Sequence, residues 1–565
     1  EMGMLKRYDT ISLGKGQGVK AKIMIEEFSQ KGGWVLLQNC HLAITWMSEL
    51  EVICENLSDN LHKDFRLWLT SMPSPGFPVS VLQNGIKMTL EPPSGLRSNL
   101  LRSYENMDDT ELTDCQKPEV FKKLLFGFCL FHAIIQERRK FGPIGWNIAY
   151  EFTNEDLGVC KKQLKLFLDD YKDIPYKVLN YIGAEINYGG RVTDDKDVRL
   201  IKTILKIYVC SDAVRDGYKY SESGIYNSPP AAEQADYLAY IKQLPLNPSP
   251  EAFGLHDNAE ITTAQNEIRN LLETILAIQP RATKGHGRSR EEVITDIANG
   301  IEKRTPAVFD LEAIKKKFPT DYNESMNTVL AQEIIKYNTL LVVMKSSLVD
   351  VKKALKGEVV MSDELEKVSI SLHDNLVPGL WAEKGFLSMK PLASWIADLN
   401  ERVDFLTKWV EGGTPKTFWI SGFFFPQAFI TGMLQNYARK HVIAIDKLGF
   451  DFRFVDDKTP QDIKEKPEDG CYIYGIFIEG ARWDNKKHML TTSKPKELYS
   501  DMPMIQLLPV PDRVPPKDGI YNCPLYKVLS RRGTLSTTGH STNFVMFLEI
   551  PSKESEDIWI RAGVA

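Results

Sequence analysis

The 565-residue chain has no long apolar run, no large excess of either charge and no clustered cysteines, and each absence removes a class of protein. Its longest apolar stretch, LLFGFCLFHAII at 124–135, contains His132 and falls well short of the ~20 residues that cross a bilayer, so it predicts a buried helix rather than a membrane span. A net charge of −5 and a pI near 6.1 leave no basic field of the kind that holds nucleic acid. The eight cysteines stand singly, with no CxxC pair and no histidine at metal-binding spacing. Most lie in apolar runs and read as small buried thiols in a reducing compartment. No signal peptide is visible, the chain starts at Glu1, and it stops in WIRAGVA, which reads as part of a strand; we expect a piece of a longer polypeptide.

What is present changes in texture along the sequence. RYDTISLG reads as a strand, followed by a helix over 18–31 that Gly32 and Gly33 end. WVLLQN is the next strand, and the helix after it carries an apolar stripe at Leu42, Trp46, Leu50, Ile53 and Leu57. FRLWLTS and GIKMTLE, separated by the turn MPSPGFP, read as third and fourth strands, and the alternation predicts a parallel sheet covered by helices. From about 95 to 245 the pattern is mainly helical, with helices near 118–139 and 156–172, and the proline-rich LPLNPSPEAFGLH marks a boundary. Beyond it RATKGHGRSR reads as a solvated basic loop, and Ser289 with Glu292 forms a capping box. Leu330, Ile334, Tyr337, Leu341, Met344, Leu348, Val351 and Leu355 then recur at steps of four and three until Gly357. That is coiled-coil spacing, yet Val342 and Val343 widen the apolar face beyond a seam and favour a helix laid along a larger body; a self-associating coiled-coil scaffold is the alternative. After about 415, FWISGFFF, GFDFRF, CYIYGIFI, MIQLLPV and NFVMFLEI predict short strands of a small antiparallel barrel or sandwich, with CYIYGIFI covered on both sides.

The chemistry is also marked by what is missing. In WVLLQNCHLA, residues 34–43, an apolar strand ends in two polar residues before a helical pattern, the way nucleotide-hydrolysing α/β modules present an acidic Walker-B pair. Here the pair is Gln38 and Asn39. Carboxamides neither neutralise Mg²⁺ nor accept a proton from water, so whatever binds there is not hydrolysed. The plainer reading is a buried strand whose amides cap the next helix. LGKGQGV has no Ser or Thr after its GK and no glycine at the required upstream spacing, so it is not a P-loop. Ser536 and His540 lie close in STTGHSTNF without a nucleophile elbow or a paired acid, and read as a polar turn. Arg138, Arg139 and Lys140 either complement the dipole of the helix before them or face a neighbouring module. Asp194, Asp195 and Asp197 lack the glycine and terminal glutamate of an EF-hand and read as a loop entering a helix from about 196. Trp483 and Asp484 do not recur as a propeller would require.

Several long strings carry a family resemblance. WVLLQNCHLAITWMSELE, FRLWLTSMPSPGFPVSVLQNGIKMTLEPPSGLRSNL, LLFGFCLFHAIIQERRKFGPIGWNIAYEF and EINYGGRVTDDKDVRL resemble the sixth and last AAA+ module of dynein heavy chains. FGLHDNAEI, FWISGFFFPQAFITGMLQNYARK, IFIEGARWD, CPLYKVLSRRGTLSTTGHSTNFV and WIRAGVA resemble the dynein C-terminal domain, and the RRGTLSTTGHSTNFV form is more similar to axonemal than to cytoplasmic dyneins.

The resemblance implies an α/β AAA+ module, with a truncated large subdomain over 1–95 and a helical lid over 96–248. An α+β C-terminal domain would follow, with helices over 249–414 and a small antiparallel β-barrel over 415–565. It implies part of an ATP-driven, minus-end-directed microtubule motor of ciliary and flagellar axonemes, in which six AAA+ modules form a ring. Gln38 and Asn39 match the Walker-B-like position of the non-hydrolytic sixth module, so no catalytic, metal or cofactor-binding residue is expected here, and ATP with Mg²⁺ belongs to other modules. The strand and loop equivalent to a Walker A would precede Glu1. The expected partners are the rest of the ring, namely the first and fifth modules and the linker. The microtubule is reached through a stalk, and intermediate and light chains through a tail, both outside these residues; neither nucleic acid nor a membrane is expected. The segment would brace the ring and transmit conformational change, or alternatively serve as a regulatory module that senses nucleotide without cleaving it.

Overall fold

The computed structural model describes residues 7–14, 16–57, 61–72, 74, 77–88, 93–105, 107–278, 289–456, 458–516, 518–534 and 539–565. The backbone divides into two units, Glu1–Pro92 and Pro93–Ala565. In the first, β1 (Tyr8–Ser12), α1 (Gly18–Lys31), β2 (Trp34–Gln38), α2 (Met47–Asn56), β3 (Arg66–Leu69) and α3 (Val79–Asn84) follow in order. The strands form the expected parallel sheet, β1-β2-β3, with Ser12 opposite Gln38 and Leu37 opposite Leu69. Gly32 ends α1 in the left-handed conformation, its N–H on the Phe28 carbonyl.

Alternation along β2 sends Val35 and Leu37 to one face, where they are buried with Ala21 and Ile25 of α1 and Met47 and Leu50 of α2. The opposite face carries Trp34 and Trp68, ring centroids 5.5 Å apart, with Trp68 exposed. Thus α1 and α2 pack on one face of the sheet. The predicted stripe starts too early: Leu42 sits in a 3₁₀ turn, Cys40–Leu42, and is exposed, while the buried face begins at Met47. Residues 85–88 of the predicted fourth strand are not β-structure, and 89–91 lie outside the described residues.

The second unit begins with α4 (Leu96–Glu105), α5 (Asp109–Thr113), α6 (Pro118–Glu137), α7 (Asn154–Asp170), α8 (Tyr176–Tyr181), α9 (Asp195–Tyr208) and α10 (Gln234–Gln243). Residues 124–135 of α6 are all buried, including His132, whose Nδ1 meets the Tyr188 hydroxyl at 3.0 Å. Next come α11 (Asn258–Ile278), α12 (Arg290–Arg304), α13 (Leu311–Lys317), α14 (Ser325–Leu355), α15 (Asp363–His373), α16 (Gly379–Lys384) and α17 (Leu392–Gly412). The Ser289–Glu292 capping box is present; residues 281–288 of the basic loop lie outside the described residues. Along α14 the predicted seam from Leu330 to Val351 is 0% exposed and packs on α12, α15, α16 and α17, so the helix belongs to a larger body and the coiled-coil alternative is overturned.

The remaining elements are β4 (Thr417–Trp419), α18 (Pro426–His441), β5 (Leu448–Val455), β6 (Cys471–Tyr474), β7 (Phe477–Glu479), β8 (Arg482–Asp484), β9 (Met489–Thr491), β10 (Tyr499–Asp501), β11 (Met504–Pro511), β12 (Ile520–Tyr526), β13 (Phe544–Pro551) and α19 (Glu556–Arg561). They build a four-stranded sheet, β4-β6-β11-β5, and the pairs β7/β10, β8/β9 and β12/β13. No closed barrel forms among the described residues, and the larger sheet is mixed because β4 runs parallel to β6. CYIYGIFI breaks into β6 and β7 at Gly475, whose φ is +82° and where a Cβ would lie 2.5 Å from the Trp419 ring. WIRAGVA is not a strand: Trp559 and Ile560 are buried in α19, since so short an apolar pair carries no period of its own.

Candidate functional site at the carboxyl ends of the parallel strands

Ligands of parallel α/β sheets bind outside the carboxyl ends of the strands, which here means the residues after Ser12, Gln38 and Leu69. Gln38 ends β2, and its carbonyl accepts the Leu13 N–H at 2.8 Å. Asn39 turns the backbone in the left-handed region, φ 58°, which asparagine tolerates better than most residues. Its Nδ2 donates to the Ser12 hydroxyl at 3.0 Å, and its backbone N–H donates to the Thr70 hydroxyl at 3.2 Å. The Cys40 N–H closes the rim on the Thr70 carbonyl at 2.9 Å. Asn39 therefore ties three strands together, and neither amide caps the following turn.

The rim residues Ser12, Gln38, Asn39, Thr70 and Ser71 are polar and uncharged. Magnesium held for phosphate chemistry requires carboxylate oxygen, which this donor set lacks; beside it, His41 has its Nδ1 taken by the Met72 N–H at 3.2 Å. Cys40 adds no reactive thiolate, because burial pushes it up to about 11. Among the described residues no group of three or more His, Cys, Asp or Glu is placed to hold a metal.

The other motifs fall in the second unit. Asp194 caps α9, accepting the N–H groups of Lys196 and Asp197, as its position ahead of the helix suggested. Asp197 accepts from Asn147 N–H at 3.1 Å, Ile148 N–H at 3.2 Å and the Tyr150 hydroxyl at 2.9 Å, and burial beside Asp194 pushes it up to about 7. His540 does meet an acid, Asp195 at 3.4 Å, together with the Lys196 ammonium at 3.1 Å, a partnership invisible across that sequence distance. Ser536 lies outside the described residues; the described Ser541 hydroxyl turns to the Arg531 carbonyl rather than to His540.

Arg138 departs most from its sequence reading. It is fully buried and donates to the carbonyls of Gly145, Ile144, Phe253 and Arg561. Arg531, also buried, pairs with Glu479 and donates to the carbonyls of Gly563 at 2.9 Å and Pro143 at 3.4 Å. These two arginines join residues 138–145 to the last residues of the sequence, supported by Asn147 on the Tyr526 hydroxyl and Lys206 on Asp557.

Comparison with known proteins accounts for nearly all of the sequence. Residues 1–89 match the region D6 P-loop domain of dynein heavy chains, 121–259 their AAA lid domain and 265–565 their C-terminal domain. The protein is 54% identical over 567 residues to dynein axonemal heavy chain 1 of Mus musculus, covering all of its own length and 13% of that relative. It is 49% identical to dynein axonemal heavy chain 3 of Homo sapiens and 46% identical to human dynein axonemal heavy chain 12, over 99% of its own length and 14% and 18% of theirs. It thus spans less than a fifth of the length of these relatives. No helix among the described residues is long and apolar enough to cross a membrane. On these matches the protein belongs to the dynein heavy-chain family.

Proposed function

We propose that this segment is the non-hydrolysing last AAA+ module and the C-terminal domain of an axonemal dynein heavy chain, and that it carries strain around the ring rather than generating it. ATP turnover, microtubule binding and the attachment of intermediate and light chains would then reside elsewhere in the polypeptide. The observation that carries this reading is the neutral rim: Gln38 ends β2 where an acid would hold metal, and Asn39 is committed to Ser12 and Thr70. Its mechanical half is supported by the buried arginine ties, which make the helices after Pro93 and the strands after Thr417 candidates for one stiff element.

Phosphate release from Mg-ATP tests it. The purified segment should show none above background, and neither Gln38→Glu nor Asn39→Asp alone should create any, because the other catalytic parts are not at this rim. Turnover that disappears on altering either position would overturn the reading. Calorimetric heat from ATP without turnover, on a polypeptide extended upstream of Glu1, would replace it with the nucleotide-sensing regulator.

A further inference from the structure

A cavity of about 330 Å³ lies in the second unit between α17, the Phe423–Pro426 turn, β7 and the β12–β13 pair. Its walls are largely apolar, with Phe386, Phe423 and Leu525 inside and the half-exposed Phe425 at the mouth. Its side-chain charges do not balance, since Arg402, Lys527 and Arg531 line it with Glu479 as the one carboxylate side chain among the described lining residues. Two of those cations are answered: Arg402 donates to Asp398 at 3.1 Å while lying flat on Phe386, and Arg531 pairs with Glu479. Lys527 has no carboxylate within ion-pair distance among the described residues. Its ammonium sits 5.3 Å from the centre of the Phe425 ring; that of Lys336, which does not line the cavity, is 5.6 Å from the same ring.

Behind the turn, Glu333 is occupied by the N–H groups of Phe424 at 2.7 Å and Phe425 at 2.9 Å. Burial pushes its carboxyl up to about 7, so it is an incomplete counter-charge, and burial also draws Lys527 below the ordinary lysine range. An apolar cavity of this size with one convergent unpaired cation suits a small amphiphile.

We propose that the cavity binds a free anionic amphiphile, with an aliphatic or aromatic body among the phenylalanines and one carboxylate, sulfonate or phosphate on Lys527. The test uses anilinonaphthalene sulfonate fluorescence on this segment and on a heavy-chain motor that carries it, with displacement by decanoate, by decanol and by phosphatidylserine vesicles. Saturable one-to-one binding is expected, with decanoate displacing the probe about tenfold better than decanol, the advantage of one charged contact, and vesicles not competing. Lys527→Met should erase that preference without moving the melting temperature, and Lys527→Arg should keep it. Equal displacement by decanoate and decanol, a preference unchanged in Lys527→Met, competition by vesicles alone, or no binding by the longer motor would each overturn the proposal.

Discussion

Replacing Arg138 by methionine keeps a buried stem of similar length but leaves the carbonyls of Gly145, Phe253 and Arg561 without a donor. Hydrogen bonds to a charged donor contribute ~1.5–3 kcal/mol each, so we expect Arg138→Met to lose at least ~3 kcal/mol in urea unfolding. Its neighbour Arg139 is half exposed, 3.9 Å from Glu151, and Arg139→Met should stay within ~0.5 kcal/mol. Nothing in ERRK distinguishes these two arginines, because the acceptors of Arg138 are backbone carbonyls, which every residue possesses. The neutrality of Gln38 and Asn39, in contrast, is legible at once, since it depends on side-chain type alone. Their partners Ser12 and Thr70 are not, because those depend on strand register. Glu333 supplies a pH prediction. Its native value is raised above the unfolded one to about 7, so its contribution to stability is full below the unfolded value near 4.5 and is lost as pH rises through about 7. Between pH 5 and 7.5 the wild type should therefore lose stability more steeply than Glu333→Gln, by up to ~1.4 kcal/mol per pH unit, as read from urea midpoints. The difference cancels the opposite trend from His132, which burial holds near 4.

At the scale of elements, the long apolar signals read best, while the short stripe from Leu42 misplaces the start of α2. The seam of α14 and the continuous apolar run of α6 are too long for a strand, whereas β4, β7 and the Gly475 break are too short to carry a signal of their own. The spacing alone leaves open whether the α14 seam meets a second molecule or its own; the burial against α12 and α15–α17 decides it. Leu341→Asp places an unpaired charge in that core and should cost at least ~3 kcal/mol in a thermal or urea melt, while Val342→Asp, on the exposed side, should cost less than ~1 kcal/mol. Light scattering should give the same mass for both while folded. A mass that falls from dimer to monomer with an unchanged melt in Leu341→Asp would revive the coiled coil. Gly127 tests the contact of α6 with α9. An alanine Cβ there would sit 2.5 Å from the Tyr208 carbonyl oxygen, so Gly127→Ala should destabilise by ~1–3 kcal/mol even though alanine gains ~1 kcal/mol in helix propensity.

At the scale of the molecule, the question is whether the helical region after Pro93 and the sheets after Thr417 respond to load as one body. The proline-rich stretch near 245 reads as a boundary, yet Phe253 and Leu255 within it are buried in the same core as α6, and the Phe253 carbonyl is one of the acceptors of Arg138. Prolines punctuate local conformation and say nothing about what the segment packs against. Arg531 offers a direct test, because it links β7 through Glu479, the loop after α6 through Pro143 and the turn after α19 through Gly563. Removing one partner of a buried ion pair leaves the other charge uncompensated, so the disturbance should follow those links rather than the sequence. In Arg531→Met we expect faster amide exchange in 141–147, 477–479 and 561–565 together, with residues 7–57 unchanged. Exchange that rises only in 527–534 would mean that these regions are merely adjacent, and strain reaching the sheets could then not be passed to α6 by this route.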